Sequence, residues 1–333
     1  MPPIETSSLP LSPLNATVPE SLAGERLDQA AAQLFEDFSR ARLQTWIKQG
    51  NLTVDDQPAK AKQKLAGGER LRLTPVLEPQ GDWLPEDLPL DIVYEDADIL
   101  VLNKGPNTVV HPAAGNQTGT LLNALLHHCA ALEALPRGGI VHRLDKDTTG
   151  LMVVAKTLTA HQALVAQLQA RQVGRHYLAV VVGLIETDGT VNALVGRHPR
   201  QRQKMAVLKA GGKQAITHYH LLQRFARHSY IRLKLETGRT HQIRVHMQSI
   251  GHPLVGDPLY GGKGGGRNGG RAKTARVLSP ELAATINAFP RQALHATRLE
   301  LRHPSSRETM FWEVPVPADM AALISALSGV SDE

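Results

Sequence analysis

Three short stretches of this chain hold the side chains best suited to chemistry. The first, Val141-His-Arg-Leu-Asp-Lys-Asp-Thr-Thr-Gly150, sets His142, Arg143 and Asp145 between Gly138-Gly139 and an apolar run that begins at Leu151. A charged cluster just ahead of a buried strand places short side chains at the rim of a sheet, where a carboxylate can serve as nucleophile or base. Read alone, the same residues suit a surface ion pair, which contributes little. The second stretch is Leu235-Glu-Thr-Gly-Arg-Thr-His-Gln-Ile-Arg-Val-His246. After a turn at Gly238, Ile243 and Val245 alternate with polar residues, which predicts a strand presenting Gln242 and Arg244 on one face. A buried polar face needs a partner, and a carboxylate is the natural one, since a charge-assisted arginine pair keeps an aspartate ionised and fixes its direction. A structural arginine bracing a loop competes with that reading. The third stretch is Gly174-Arg-His-Tyr-Leu-Ala-Val180, where Tyr177 opens an apolar strand with a ring for stacking and a hydroxyl for proton transfer. A plain core tyrosine is the competing reading.

Other chemistries find less support in the same letters. His-Arg-Leu-Asp resembles a kinase catalytic loop only superficially, because the extra leucine intrudes and Asp-Phe-Gly and Ala-Pro-Glu are missing. Fifteen histidines invite a metal, yet no His-Glu-x-x-His occurs, and His241 and His246 would leave opposite faces of a strand. No Gly-x-Ser-x-Gly is present. The glycine-rich run 261–270 lacks the ending of a phosphate-binding loop and is expected to be a mobile loop. The single cysteine, Cys129, excludes an internal disulfide and a thiolate cluster.

The elements that must position these residues fall into two blocks, as 333 residues suggest. Residues 1–18, rich in Pro and Ser, are expected to be a disordered tail without a signal peptide, which makes the cytoplasm the expected location. In block 19–75, Leu22, Leu27, Ala30, Ala31 and Leu34 recur at helical spacing, and Ser39 can cap a second helix through Leu43, Trp46 and Ile47 to Gly50. Strand-like Leu52–Val54 and Arg70–Thr74 follow. An acidic, proline-rich linker is expected at 76–89. Block 90–330 shows strand signals at Ile99–Leu102, Gly150–Ala155, Tyr177–Val182 and Tyr230–Leu235, with one or two helices, one of them capped by Thr159. Strands not separated by regular crossover helices predict an α+β fold. No apolar run is long enough for a membrane span. The net charge is +6, and Arg197, Arg200, Arg202, Lys204, Lys209 and Lys213 run without an acid among them, so a polyanion is a plausible partner.

Taken together, His-Arg-Leu-Asp-x-x-Thr-Thr-Gly and Thr-Gly-Arg-Thr-His-Gln-Ile-Arg-Val-His resemble the two long motifs of the pseudouridine synthases that modify ribosomal RNA. The likeness extends through Gly251-His-Pro-Leu-Val-Gly-Asp-Pro-Leu-Tyr260, Ala293-Leu-His-Ala296 and His303-Pro304, and block 22–75 resembles the small S4 RNA-binding domain. The resemblance implies a mostly antiparallel mixed-sheet catalytic domain. It also implies a monomer that needs no cofactor or metal, acting on 23S ribosomal RNA or a pre-ribosomal large subunit in the loop of helix 69.

In that light Asp145 resembles the catalytic aspartate and Tyr177 the active-site tyrosine, while Arg143, with His142 beside it, resembles the group that replaces a flipped base. The resemblance implies an arginine partner for Asp145; Arg239 and Arg244 both lie in the motif, and the strand alternation favours Arg244. Arg40, Arg42 and Lys48 would add RNA affinity from the small domain. Arg175 stands where the family often has lysine, a departure not expected to touch the chemistry. The resemblance leaves open whether the aspartate attacks C1′ or assists proton loss at C2′. The rival reading is a non-catalytic S4-type RNA-binding protein.

Overall fold

The computed structural model describes residues 13–35, 38, 40–75, 83–112, 116–201, 203–261 and 279–329. Ser39, the first half of the expected linker and nearly all of the glycine-rich run lie outside them. The chain divides into two compact units, Met1–Asp82 and Trp83–Glu333.

In the first unit, strand β1 is Leu14–Thr17, helix α1 Leu27–Leu34 and helix α2 Arg40–Gln49, followed by strands β2 (Leu52–Val54), β3 (Gln57–Pro58) and β4 (Arg70–Leu73). The sheet order is β1-β4-β2-β3. Residues 14–17 therefore do not belong to a disordered tail: Leu14 pairs with Leu73 and Thr17 with Arg70, and Val18 is buried. The alternation Leu71, Leu73 against exposed Arg70, Arg72 gives β4 one apolar face, onto which Leu27, Ala31, Leu43 and Trp46 can pack. Leu22 lies in a separate 3-10 turn, Glu20–Leu22, rather than in the first helix.

The second unit is built on ten strands: β5 Ile92–Glu95, β6 Ile99–Lys104, β7 Thr149–Ala155, β8 Gly174–Val182, β9 Gly189–Arg197, β10 Met205–Leu208, β11 Lys213–Arg224, β12 His228–Leu235, β13 Leu294–Arg302 and β14 Thr309–Glu313. Their order is β10-β9-β11-β12-β8-β13-β7-β6-β5, with β14 paired to β13. Every pair is antiparallel except β13 with β7. The helices are α3 Leu121–His128, α4 Leu158–Gln169, α5 Gln242–Ser249, α6 Pro280–Ala288 and α7 Ala318–Ser328, more than the one or two expected. Thr157, not Thr159, caps α4 by accepting from Ala160 N–H.

Strand β7 is buried on both faces. Met152 and Val154 join a core with α3, β12 and Ile243 and Met247 of α5, while Leu151 and Val153 join another with Leu164 of α4 and Trp312 of β14. Gly150 makes the β7–β13 crossing possible, since at φ +113 a Cβ would fall 2.2 Å from the Ala296 carbonyl oxygen. Part of the expected linker already belongs to this unit: Trp83 packs edge-on to His111, and the Leu84 carbonyl accepts from Asn123 Nδ2 at 2.7 Å. No helix among the described residues is long and apolar enough to cross a membrane.

Buried imidazoles make this unit sensitive to acid. Burial pushes His142 down to about 3 and His228, His246 and His295 down to about 4. Each takes up a proton in the unfolded chain near pH 6.5 but resists it when folded, so stability is intact above about pH 6.5 and falls as pH drops toward 4. Each imidazole contributes up to about 1.4 kcal/mol per pH unit in that window. Urea midpoints at pH 7, 6 and 5 should therefore decline steadily; equal midpoints would contradict the buried, neutral state.

Candidate active site

Asp145 lies in the loop entering β7, and the loop is pinned from both sides. Thr148 N–H donates to the Asp145 carbonyl at 3.0 Å, Arg291 Nη1 to the Asp147 carbonyl at 3.2 Å and Asn107 N–H to the Asp147 carboxylate at 3.2 Å. His142, expected to meet RNA, instead faces inward: its Nε2 accepts the Val153 N–H at 3.0 Å, which burial and the low pKa keep possible by leaving the ring neutral. Beneath the loop Lys104, 2% exposed, donates to the carbonyls of Gly105, Thr108 and Lys146 at 2.7, 3.1 and 2.8 Å. Burial pushes this lysine down to about 7 against the pull of Asp147 and Asp145, and its three bonds match the three protons of an ammonium.

Replacing Lys104 by Met strands three carbonyls and loosens the peptide next to Asp145. The expected cost is about 2 kcal/mol of stability, together with a fall in kcat larger than any change in substrate affinity. Denaturation and single-turnover rates at saturating substrate check both; wild-type values would show that the loop needs no such anchor.

The second stretch departs from its expected strand. Residues 242–249 form helix α5. Ile243, Val245 and Met247 satisfy a period of two, but Ile243 and Met247 are also one helical turn apart, and so are Gln242 and His246. The helix uses both pairings. Ile243 and Met247 enter the core, while Gln242 Nε2 donates to the Ile216 carbonyl and Thr217 Oγ1 at 3.0 Å and His246 Nδ1 lies 2.9 Å from the same hydroxyl.

Arg244 remains on a third side of the helix, facing the loop of Asp145. Its Nη1 donates to Asp145 Oδ2 at 3.0 Å, and its Nε and Nη2 grip Asp257 at 2.7 and 2.8 Å. Burial opposes the guanidinium charge, but Asp257 and Asp145 together hold its pKa above the ordinary arginine range. Arg239 does not reach Asp145; its Nε donates to the Gln214 carbonyl at 3.2 Å. So Arg244 is the partner, though by helix rather than strand geometry. Asp257 escaped the reading of single stretches. Its signal was an arginine fork with more donors than one aspartate could use.

These groups open onto a cleft of about 560 Å³. Asp145 and Tyr177 line it, as do Arg137, Arg143, Arg171 and Arg175, an excess of positive charge over the acids Asp145 and Glu236. Arg143 is exposed, whereas Tyr177 is 5% exposed and its hydroxyl pKa is raised by burial. On the other side His241, at φ +54, brings Nε2 to 3.9 Å from Asp145 Oδ1 and Nδ1 to 2.8 Å from the Tyr260 hydroxyl. That hydroxyl also accepts Met205 N–H at 2.8 Å, and Lys204 Nζ lies 6.0 Å from the Tyr260 ring, so the basic β9–β10 hairpin borders the cleft.

An aspartate directed by a buried guanidinium, beside a buried tyrosine and inside an arginine-lined cleft, suits nucleophilic or base chemistry on a polyanion. The family model for RNA pseudouridylate synthases matches residues 98–249, and the S4 domain matches residues 25–71. The chain is 57% identical to ribosomal large subunit pseudouridine synthase D of Pseudomonas aeruginosa over 312 residues, covering 94% of this chain and 95% of that protein. This chain belongs to the RNA pseudouridylate synthase family.

The synthase is also 49% identical to ribosomal large subunit pseudouridine synthase D of Escherichia coli K12 over 321 residues, 96% of each protein. The structure of human RNA pseudouridylate synthase domain containing 1 superimposes with a TM-score of 0.51 at 25% identity, covering 74% of this chain and 98% of that one. The mixed, mainly antiparallel sheet is thus the fold of the family, and the chain is an isomerase.

In the S4 unit the three expected RNA-contacting residues differ in setting. Arg40 is committed to the fully buried Asp28, donating from Nε and Nη2 at 2.9 and 2.7 Å, and its first task is to neutralise that carboxylate. Arg42 lies 5.4 Å from the Trp46 ring centre. Lys48 is exposed in the last turn of α2.

Proposed function

We propose that this synthase converts uridines of large-subunit ribosomal RNA to pseudouridine, in the loop of helix 69 of 23S ribosomal RNA, with Asp145 as nucleophile. The observation that carries the reading is the bond from Arg244 to Asp145 in a cleft lined by arginines. Large-subunit ribosomal RNA as substrate is supported by the names of relatives that match the chain nearly end to end; the helix 69 loop is the finer part of the proposal.

A uracil inside an RNA stack is out of reach of a cleft, so the target base leaves the stack at a cost of a few kcal/mol, least in a loop. Arg143, exposed at the cleft, takes the vacated place. Arg244 leaves Asp145 one oxygen free to attack C1′ or to accept the C2′ proton, and Tyr177 stacks on the detached base, its hydroxyl, kept protonated by burial, acting as the relay through which the C5 proton leaves. Arg137, Arg171 and the β9–β10 hairpin would hold phosphates, a contribution that weakens with salt.

Release of tritium from uridine labelled at C5 in transcribed 23S ribosomal RNA tests the reading, with sequencing of the modified positions to place them. The rival, a non-catalytic RNA-binding protein, predicts no release by wild type. Release from positions outside helix 69 alone would sink the assignment of target while leaving the chemistry in place.

A further inference from the structure

Three arginines are buried among the described residues: Arg175, Arg244 and Arg291. Two have carboxylates, Arg244 with Asp257 and Asp145, and Arg291 with Asp319. Arg175 has none within ion-pair distance among the described residues. It is 7% exposed, its Nε is buried without a hydrogen-bond partner, and its Nη2 makes one long bond, 3.3 Å, to the Glu236 carbonyl. Nor is it a surface group pressed inward. It precedes Tyr177 by two residues on β8, so both side chains leave the same face, and both line the cleft. Gly238 makes room for it, since a Cβ there would fall 2.6 Å from Nη1. A cation taken out of water without a counter-charge is costly, and a protein that keeps one inside a reaction cleft holds it for a charge that arrives later.

The isomerisation creates such a charge. When the C1′–N1 bond breaks, both electrons stay with the base, which leaves as an anion with charge over N1, O2 and O4. If Asp145 attacks, its negative charge passes to the base as the new C1′–O bond forms; if it removes the C2′ proton instead, the base still departs as an anion. Rejoining through C5 returns the electron pair to the sugar, and C5 then loses its proton. Asp145 already has Arg244, while the departing base has no cation assigned. We propose that Arg175 is the counter-charge of the detached uracil, its unpartnered Nε–H and guanidinium fork donating to a carbonyl oxygen of the base. A fixed donor aimed at charge present only during reaction acts chiefly on kcat.

The assignment rests on Asp145-centred uridine isomerisation, and its test separates the two. Wild type, Arg175→Gln, Arg175→Lys and Gly238→Ala are given a ribosomal RNA fragment carrying either uridine or 5-fluorouridine at the target. Loss of the starting nucleoside is followed in a single turnover at saturating RNA. Fluorine withdraws electrons, so 5-fluorouracil leaves more easily and needs the cation less.

Arg175→Gln should slow uridine by about 10²- to 10³-fold and 5-fluorouridine at least about tenfold less, with RNA affinity within a few fold. Gly238→Ala pushes the guanidinium aside without removing a charge and should shift the ratio the same way, which keeps the test available if the glutamine variant fails to fold. Arg175→Lys should keep the wild-type ratio. Equal slowing of both substrates by the glutamine and alanine variants overturns the assignment, as does weakened RNA binding with unchanged rate at saturation, which would mark a phosphate contact. Wild type leaving uridine unconverted would instead sink the underlying function.

Discussion

Asp145→Asn is expected to abolish pseudouridine formation, with a fall in single-turnover rate of at least roughly 10⁴-fold, while RNA binding stays within a few fold of wild type. The size follows from what the group does. A carboxylate that bonds to C1′ or takes a proton has no substitute in a neutral amide, and loss of a nucleophile or its partner typically costs that much or more. Binding survives because the change keeps the shape, and the amide oxygen can still accept from Arg244 Nη1, which lies 3.0 Å from Oδ2 in the wild type.

The sign of any change in affinity is also set. Removing one negative charge from a cleft lined by Arg137, Arg143, Arg171 and Arg239 leaves less to repel phosphate, so binding should tighten slightly, most at low salt. Tritium release and a binding titration at two salt concentrations, run on the same preparation, check both halves. Residual turnover within a hundredfold of wild type would show that Asp145 is not the nucleophile.

The second large effect concerns stability. Arg244→Met should destabilise the catalytic unit by about 3–5 kcal/mol, because it leaves a carboxylate without its cation inside the protein. Asp257 is the more affected, with a side chain 0% exposed, and it loses both bonds from Nε and Nη2; Asp145, at 15%, loses one. Asp257 keeps the N–H groups of Leu259 and Tyr260, at 2.9 and 3.0 Å, but these were arranged to share the work with a guanidinium.

In a unit of this size the loss corresponds to a fall in melting temperature of roughly 10 °C. Adding Asp257→Asn to the methionine variant removes the stranded charge and should recover part of it, since the two sites are coupled through one network. Arg244→Lys keeps the charge but not the fork, and should fall between. A methionine variant as stable as wild type would mean that this ion network is not holding α5 against the catalytic loop.

Much of the fold could be read from local pattern. The strands at Ile99, Gly150, Tyr177 and Tyr230 follow from apolar runs of a length that suits strands, and the helix pair of the small unit follows from its spacing and its glycine stop. The failures have specific causes. Leu14–Thr17 looks like tail because it lies among prolines, yet it is tied down by pairing with β4, a partner more than fifty residues away. Residues 242–249 alternate like a strand, but a short segment with apolar residues at 243, 245 and 247 satisfies a helix equally well, and β11 with the core chooses between them. His142 reads as polar and therefore external; in the fold its ring nitrogen completes a backbone bond.

The candidate site divides along the same line. The loop that presents Asp145 and the strand that presents Tyr177 are legible in residue type and spacing within about ten residues, and the family and the choice of Arg239 or Arg244 as partner in several such motifs occurring in order. It took the folded chain to bring Arg244 to Asp145, to let Asp257 share it, to anchor the loop from beneath with Lys104, and to carry Arg175 into the cleft without a carboxylate among the described residues. A charged group finds its partner by distance in space, and here Arg244 reaches Asp145 and Asp257 across 99 and 13 residues of chain while Lys104 reaches the Lys146 carbonyl across 42. Which arginine is satisfied and which is left waiting depends on the order of strands and the direction of one helix, and no local pattern encodes either.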